Sequence, residues 1–455
     1  MAKVAPPPKA FDGEVDTLVI GAGACGMVAA LSAKEVGQDV AVLERDAVPA
    51  GSTALSAGLI PAAGTRFQAE AGIEDSPELF AADIQRKGGG ENDPALVVRL
   101  ASGAAGAVEW LADRHGLPFS VVTDFDYPGH SRRRMHGLPS RSGRELVDRL
   151  RNACEVQAIP ILCEATATTL YATDDRIEGV AVTRPDGSVE RIGCQKLVLA
   201  CNGFGGNRAL VRKHLPGIAG ALWFGHDGNR GEALAWGEAL GAAMAHLGAY
   251  QGHGNVADPH GILITWATIT EGGIQVNARG ARFWNEAQGY SEAARAVLEQ
   301  PGGVAWTIFD SRIAAVARQF ADFREAEAQG AIRSADTIEE LARSLGLPPE
   351  GLSETMAEIP TGRTDRFGRT FSSRPLEPRY CGVKVTGALF HTQGGLVTGE
   401  NAKVLKTDGD VFANLHAAGG AACGVSGKGD TGYLSGNGLI SAVVLGRLAG
   451  SAESP

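Results

Sequence analysis

The chain has 455 residues, of which 44% are hydrophobic and 21% charged, an ordinary globular composition with enough length for two packed domains. The formal net charge is -10 and no basic tract occurs, which argues against a nucleic-acid surface because such a surface needs clustered lysines and arginines. The 62 glycines cluster in short motifs, which indicates tight turns and close backbone approach to a ligand.

The start of the chain and its cysteines bear on location. Residues 1–14 contain three consecutive prolines and no apolar core, which predicts a disordered lead-in rather than a signal peptide. No apolar run reaches the length of a membrane span, so we expect no membrane insertion. The seven cysteines are odd in number and form no CxxC pair. This usage predicts reduced thiols and a cytoplasmic protein.

The first periodic segment is a βαβ pattern. Residues 16–20 are a short apolar run, residues 21–26 read GAGACG, and an alanine-rich amphipathic stretch continues to Val36. Residues 39–43 give a second apolar strand, which ends in Glu44. The order of strand, tight turn, helix and strand predicts two parallel strands of a Rossmann-type α/β domain.

The hexapeptide between the first strand and the helix is a GxGxxG motif. Gly21 permits the sharp turn, Gly23 lets the backbone approach a pyrophosphate, and Gly26 lets the helix pack closely on the strand. The helix N-terminus offers free N–H groups to phosphates, and Glu44 can accept hydrogen bonds from ribose hydroxyls. These residues predict a dinucleotide site, and NAD fits the fingerprint as well as FAD does.

The rest of the chain divides by character. Four later segments have the composition of strands: 159–169, 177–182, 188–192 and 196–200. A charged, helix-rich block follows, and then strands and glycines return before a last helix over residues 438–449. The prediction is an α/β fold in which a Rossmann-type nucleotide-binding domain in two parts, 15–224 and 371–455, carries an inserted α+β capping domain, 225–370.

Four motifs decide between the dinucleotides. They are Gly51-Ser52-Thr53 with Ser56, Ala57 and Gly58; Ala200-Cys201-Asn202-Gly203-Phe204-Gly205; residues 273–286, GIQVNARGARFWNE; and residues 383–396, VKVTGALFHTQGGL. In this order, over nearly the whole chain, they resemble the motifs of the fumarate reductase/succinate dehydrogenase flavoprotein family. The resemblance implies an FAD-binding domain interrupted by a cap, with the substrate held between the cap and the isoalloxazine ring.

The resemblance also assigns the cofactor contacts. The expected FAD-binding residues are Gly21, Ala22, Gly23, Gly26, Glu44, Arg45, Gly51, Ser52, Thr53, Ser56, Gly58, Ala200, Asn202, Gly203, Gly419, Asn437, Gly438 and Leu439. The last three begin the final helix, whose N-terminal dipole would face the negative charge that collects at flavin N1 and the C2 carbonyl on reduction.

Two departures from the family affect the cofactor. In quinone-linked relatives a histidine that bonds the flavin stands where this chain has Ser52, so the FAD is expected to be noncovalent. The family's Ala-Ala-Gly-Glu pattern reads here Ala417-Ala418-Gly419-Gly420, so an acidic contact to the ribityl chain is expected to be missing.

The substrate residues depart further. Two arginines of the fumarate reductases, one that donates the proton and one that clamps a carboxylate, correspond here to Tyr290 and Tyr433. The same exchange resembles the 3-ketosteroid dehydrogenase branch of this group. By that resemblance Tyr290 is a general acid/base and Tyr433 polarises a carbonyl together with the backbone N–H of Gly436 or Gly438. Tyr127 is a third candidate.

Two histidines, His391 and His253, keep family positions that hold a substrate carbonyl or carboxylate. A substrate with an acid group, assisted by Arg132 or Arg134, therefore stays open. The hypotheses are a dehydrogenase or ene-reductase acting next to the carbonyl of a cyclic ketone or ketoacid, a fumarate reductase-like enzyme for a small carboxylate, and an FAD-binding electron-transfer subunit. No residues have metal-ligand spacing, so no metal is expected, and the sequence does not identify the electron acceptor.

Overall fold

The computed structural model describes residues 2–372 and 374–453. Its strands, in chain order, are β1 (Lys3–Ala5), β2 (Gly13–Ile20), β3 (Val40–Leu43), β4 (Ile60–Pro61), β5 (Ser120–Val121), β6 (Met135–Gly137), β7 (Ile161–Leu162), β8 (Thr166–Thr173), β9 (Arg176–Thr183), β10 (Val189–Leu199), β11 (Leu222–Trp223), β12 (Met244–Ala245), β13 (Tyr250–Ala257), β14 (Ile262–Leu263), β15 (Ile274–Val276), β16 (Val304–Asp310), β17 (Ile332–Ala335), β18 (Tyr380–Thr392), β19 (Gly395–Leu396), β20 (Lys403–Leu405) and β21 (Val411–Ala417). Its α-helices are α1 (Ala24–Glu35), α2 (Gly51–Ala54), α3 (Arg66–Glu70), α4 (Pro77–Lys87), α5 (Pro94–His115), α6 (Gly143–Val156), α7 (Arg208–His214), α8 (Glu232–Leu240), α9 (Ala267–Thr270), α10 (Tyr290–Leu298), α11 (Ser311–Ala317), α12 (Ala321–Ala328), α13 (Ile338–Leu345), α14 (Pro349–Glu358) and α15 (Asn437–Ser451).

The larger sheet carries the glycine-rich loop. Strands β10, β2, β3 and β7 lie side by side and parallel, and β21 is parallel to β10. Helices α1 and α15 pack on each other, and their buried faces, with β2 and β3, belong to one continuous hydrophobic core. Apolar residues run unbroken along β3 because a parallel strand is covered on both faces. The predicted Rossmann-type α/β layer is confirmed.

Two predictions for this sheet are wrong. Lys3–Ala5 pairs in parallel with residues 169–171 of β8, within the segment that was predicted to be a disordered lead-in. Segments 188–192 and 196–200, predicted as separate strands, form the single strand β10, which pairs with β9 on one edge and with β2 on the other.

A seven-stranded sheet forms the cap. Its order is β14-β13-β18-β16-β15, and β11 and β17 also pair with β18. The central strand β18 is antiparallel to β13 and β16. Strand β18 spans Tyr380–Thr392, beyond the predicted end of the cap at residue 370, and Leu222–Trp223 joins this sheet just before the predicted start at residue 225.

Helix α5 has the length and apolar composition of a membrane span, contrary to the expectation that no apolar run is this long. Half of its apolar window is buried inside the fold, where α5 packs on α15 and α4. Core helices of soluble proteins can have the same length and apolar composition, so α5 is weak evidence for a membrane span.

Candidate active site

A cavity of about 530 Å³ lies between the large sheet and the cap. Fifteen of the predicted cofactor residues line it: Gly21, Ala22, Gly23, Glu44, Arg45, Gly51, Ser52, Thr53, Ser56, Gly58, Ala200, Asn202, Gly419, Gly438 and Leu439. So do all six residues predicted for catalysis: Tyr127, His253, Tyr290, His391, Tyr433 and Gly436. Gly26, Gly203 and Asn437 lie behind this wall, outside the lining. The cavity therefore brings the two predicted sites into one space.

The glycine loop is shaped by close backbone packing. Gly21 has φ +106°, and a Cβ on it would come within 2.5 Å of the carbonyl oxygen of Ala200. A Cβ on Gly26 would lie 1.8 Å from the carbonyl oxygen of Gly21. Gly26 therefore acts by seating α1 on the loop, not by touching a ligand. The N–H of Ala24, in the first turn of α1, donates to Thr53 Oγ1 at 3.1 Å.

The carboxylate of Glu44 is fixed at the end of β3. One oxygen accepts the N–H of Ala22 at 2.9 Å and the other accepts the N–H of Asp46 at 3.0 Å. A carboxylate has about four acceptor positions, so each oxygen keeps capacity for a hydroxyl group. Next to it, Arg45 pairs with Glu232 of α8 at 2.8 Å. This arrangement fits a ribose diol.

The hydroxyl of Ser52 is held by two amides. It accepts the side-chain N–H of Asn229 at 2.8 Å and that of Asn202 at 3.1 Å. Asn202 also fills the space of the missing family glutamate, because a Cβ on Gly420 would lie 2.0 Å from Asn202 Oδ1. Asn202 thus lies next to both departures, since it binds Ser52 and packs against Gly420.

Three further residues line the cavity that sequence reasoning missed as ligands, namely Glu232, Trp236 and Ser441. Each has a buried polar atom without a hydrogen-bond partner among the described residues: Glu232 Oε2, Trp236 Nε1 and Ser441 Oγ. Buried polar groups in folded proteins are almost always paired, so these atoms fit a polar cofactor at this wall. In the sequence, only the spacing of Glu232 and Trp236, one turn apart on α8, could have indicated that both side chains face the same site.

Tyr290 and Tyr433 converge at the other end of the cavity. Tyr290 begins α10 and Tyr433 lies in the loop before α15, yet their ring centroids are 6.1 Å apart in an edge-to-face arrangement. Both rings are buried, and burial raises the pKa of each phenol. Ser435, which has no motif of its own, lies beside the Tyr290 phenol and partly offsets the effect of burial on its pKa.

Several donor groups lie beside the oxygen of Tyr433. The backbone N–H groups of Gly438 and Gly436 and the hydroxyl of Tyr290 face it, and these donors partly offset the effect of burial on its pKa. The phenol also has an O–H of its own, which can donate to a ligand. The glycine N–H groups, predicted to act on a substrate carbonyl, lie beside the Tyr433 phenol.

The two histidines flank the tyrosines. His253 stacks on Tyr290 at 4.8 Å, and burial lowers its pKa to about 3, so it is neutral. Its Nδ1 accepts the N–H of Asn255 at 3.2 Å, which assigns the proton to Nε2. His391 meets Tyr433 edge to face at 5.7 Å, and burial lowers its pKa to about 4.

A chain of hydrogen bonds through two amides and one hydroxyl orients His391. Asn437 donates to Ser426 Oγ at 3.1 Å, Ser426 donates to Gln393 Oε1 at 2.8 Å, and Gln393 lies 2.9 Å from His391 Nδ1. The Gln393 amide can donate to Nδ1 only if the proton is on Nε2. Asn437 thus lies behind the cavity wall as a support for the histidine.

Arg134 and Arg132 do not reach the cavity, so their predicted contact with an anion is wrong. Arg134 is fully buried and bound by Asp75 and Asp83, with N···O distances of 2.8 and 2.6 Å. Arg132 donates to the carbonyl of Glu74 at 3.1 Å. In the described part of the chain no hydrogen bond or cation–π contact joins an arginine to Tyr290 or Tyr433.

Comparisons with known proteins agree with this geometry. The family model described as FAD binding domain matches residues 16–439. The chain is 31% identical over 445 residues to the fumarate reductase-type protein Ifc3 of Shewanella frigidimarina, covering 95% of this chain and 74% of that one. It is 29% identical to an NADH:fumarate oxidoreductase of Klebsiella pneumoniae, of which it spans about half, 47%.

Two solved structures are similar over nearly the whole chain. An open conformation of a flavocytochrome c3 fumarate reductase has a TM-score of 0.81 at 29% identity, with 97% of this chain and 78% of that chain covered. A 3-ketosteroid-Δ4-(5α)-dehydrogenase from Rhodococcus jostii, in complex with 4-androstene-3,17-dione, has a TM-score of 0.75 at 25% identity, with 99% of each chain covered.

Proposed function

Since the chain belongs to the FAD-binding flavoprotein family of the fumarate reductases, whose members are oxidoreductases that act on CH–CH bonds, we propose that its own substrate is a cyclic ketone or ketoacid. The bond that is desaturated, or reduced in the reverse direction, lies next to the carbonyl. One observation carries this proposal: Tyr290 and Tyr433 converge in the cavity that the cofactor loop also lines.

The residues divide the reaction between them. Hydride exchange with the substrate carbon is the chemistry that FAD supplies when bound. Tyr433 donates its free O–H to the ketone oxygen, and the N–H groups of Gly436 and Gly438 make it a stronger donor as negative charge develops there. Tyr290 takes the proton from the neighbouring carbon in desaturation and returns it in ene reduction, and Ser435 lies beside its phenol.

The same residues disfavour a dicarboxylate. A fumarate-like substrate needs cationic partners, and His253 and His391 are both neutral because burial lowers their pKa values. A small-carboxylate reductase stays the second candidate because both histidines line the cavity and relatives are named as fumarate, urocanate and acrylate reductases. Perturbation of the flavin spectrum by micromolar fumarate or succinate would favour it.

Anaerobic mixing of the purified holoprotein with cyclic ketones and small carboxylates tests the proposal. Bleaching of flavin absorbance by saturated cyclic ketones, or reoxidation of reduced flavin by the unsaturated ones, is the expected result. A response to carboxylates alone would contradict it. Turnover with an artificial dye acceptor would exclude a pure electron-transfer subunit, the third hypothesis, and the same assay serves to screen electron acceptors.

Two further properties belong to the proposal. Noncovalent FAD is supported by Ser52, which has no nitrogen to bond the flavin and whose hydroxyl is engaged by Asn202 and Asn229. Acid precipitation should release all flavin to the supernatant, and flavin retained in the pellet would contradict it. A cytoplasmic location is supported by the seven cysteines, all free thiols.

A further inference from the structure

We propose that helix α4, which contributes nothing to the cavity wall, sets the position of the two phenols relative to each other. The inference rests on the proposed function. Asp83 and Lys87 lie four residues apart on α4, so their side chains share one face of the helix. Each begins a short chain of contacts, and the two chains end beside different tyrosines.

The first chain runs from Asp83 to the loop that carries Tyr433. Asp83 Oδ2 accepts from Arg134 at 2.6 Å and from the N–H and hydroxyl of Ser131, both at 2.8 Å. Burial alone would raise the pKa of Asp83, but these hydrogen bonds lower it, so the carboxylate stays charged. Arg134 is clamped from its other side by Asp75 at 2.8 and 2.9 Å.

The chain continues through His130. Arg134 lies 3.4 Å from His130 Nδ1, and a guanidinium can only donate, so Nδ1 is the acceptor and Nε2 carries the proton. His130 Nε2 lies 3.0 Å from the carbonyl oxygen of Ser435. Ser435 stands in the chain between Tyr433 and Gly436. His130 is therefore a positioning residue for the carbonyl-polarising group.

The second chain runs from Lys87 to α10. Lys87 Nζ donates to the carbonyl oxygen of Gln288 at 2.9 Å and forms an ion pair with Glu292. These two residues flank Tyr290 by two positions on each side. Glu292 is buried, so the pair fixes the first turn of α10 in the protein interior and not at a solvated surface. Lys87 is therefore a positioning residue for the acid/base.

The two chains of contacts both begin on α4 but end in different parts of the fold. Tyr290 belongs to the cap, and Tyr433 belongs to the loop before α15. Removing either chain should displace one phenol more than the other, because each chain ends next to a different tyrosine in the sequence. FAD loading should stay normal, because α4 does not touch the cavity.

Crystal structures of the holoenzyme variants His130→Ala and Lys87→Met test this directly. We expect the Tyr433 hydroxyl to shift more than the Tyr290 hydroxyl in His130→Ala, and the reverse in Lys87→Met. Gln85→Ala, on α4 but with no side-chain hydrogen bond to either chain, is the matched control. If His130→Ala does not fold, His130→Phe keeps the ring without the N–H donor. Both phenols unmoved, or both moved equally, would overturn the inference.

A spectroscopic readout separates positioning from general stability. 4-Chlorophenol, which mimics an enolate when ionised, gives a long-wavelength charge-transfer band when it lies over oxidised flavin. Loss of one positioning hydrogen bond should weaken its binding about tenfold in His130→Ala, and His130→Gln should restore it because the amide can still donate. Lys87→Met should bind the probe normally, and equal weakening in both variants would contradict separate chains.

This design keeps two failures apart. If Tyr290→Phe retains full activity, the proposed function fails, and the crystal structures still decide the role of α4. If Tyr290→Phe is inactive while His130→Ala and Lys87→Met leave both phenols and probe binding unchanged, only the positioning role is lost.

Discussion

The ring of Tyr290, at the first position of α10, meets the ring of Tyr433 edge to face with a centroid separation of 6.1 Å. The cap supplies one phenol, and the loop before α15 supplies the other. The pair therefore lies where the cap meets the cofactor domain. The following predictions take this pair and the cofactor wall as their starting points.

Replacing Tyr433 by phenylalanine should slow substrate-dependent flavin bleaching by about 100-fold or more, because a donor to the developing oxyanion is lost. Flavin content should be unchanged. Stopped-flow absorbance at the flavin maximum measures the rate. Tyr171→Phe, far away on β8 where the ring contacts Phe11, is the control and should bleach at the wild-type rate. Equal rates for Tyr433→Phe and wild type would remove Tyr433 from the mechanism.

The desaturation rate should rise with pH across the alkaline range. Burial raises the pKa of Tyr290, so the ionised phenol that acts as base is scarce near neutrality and accumulates as pH increases. Ene reduction uses the protonated phenol and should not rise in that range. Rates of both directions measured against pH, for wild type and Tyr290→Phe, check this. Parallel profiles for the two directions would exclude Tyr290 as the titrating group.

Glu44→Gln should weaken FAD binding roughly 10- to 100-fold, because hydrogen bonds to a charged acceptor become bonds to a neutral one. Titration of apoprotein with FAD, followed by quenching of flavin fluorescence, gives the affinity. Glu190→Gln serves as the control, because the Glu190 carboxylate on β10 pairs with Arg184, just after β9. Undiminished affinity in Glu44→Gln would mean that the carboxylate only supports the backbone of Ala22 and Asp46.

Gly26→Ala should destabilise the fold by about 3 kcal/mol, because the added Cβ would collide with the carbonyl oxygen of Gly21 at 1.8 Å. Urea unfolding of the apoprotein measures the change. Gly13→Ala is the matched control, since nothing lies within 4 Å of its Cβ position, and it should stay within about 0.5 kcal/mol of wild type. A tolerated alanine at position 26 would show that α1 can shift away from the loop.

The features that local sequence determines were predicted well. The βαβ unit and the GxGxxG turn follow from short-range periodicity and glycine geometry, so Gly21 and Glu44 could be placed without coordinates. The strand Lys3–Ala5 could not, because three residues become a strand only through pairing with β8. The extent of the cap depends likewise on β18, whose partners are distant in the chain.

The site shows the same division. Tyr290 and Tyr433 were found because they stand at motif positions, whereas Ser435 and Trp236 have no motif of their own. Arg134 was misjudged because a cluster of arginines in sequence says nothing of its partners. Asp75 and Asp83 lie far from Arg134 in sequence but enclose it in the fold.

Tyr290→Phe tests the central claim most directly. The variant should bind FAD with normal absorbance, because the phenol hydroxyl contacts Tyr433 and Ser435 and not the residues of the cofactor loop. Anaerobic addition of the ketone that bleaches wild-type flavin should then produce almost no bleaching. Bleaching at the wild-type rate would contradict proton transfer by Tyr290 and, with it, the ketone chemistry assigned to the pair of phenols.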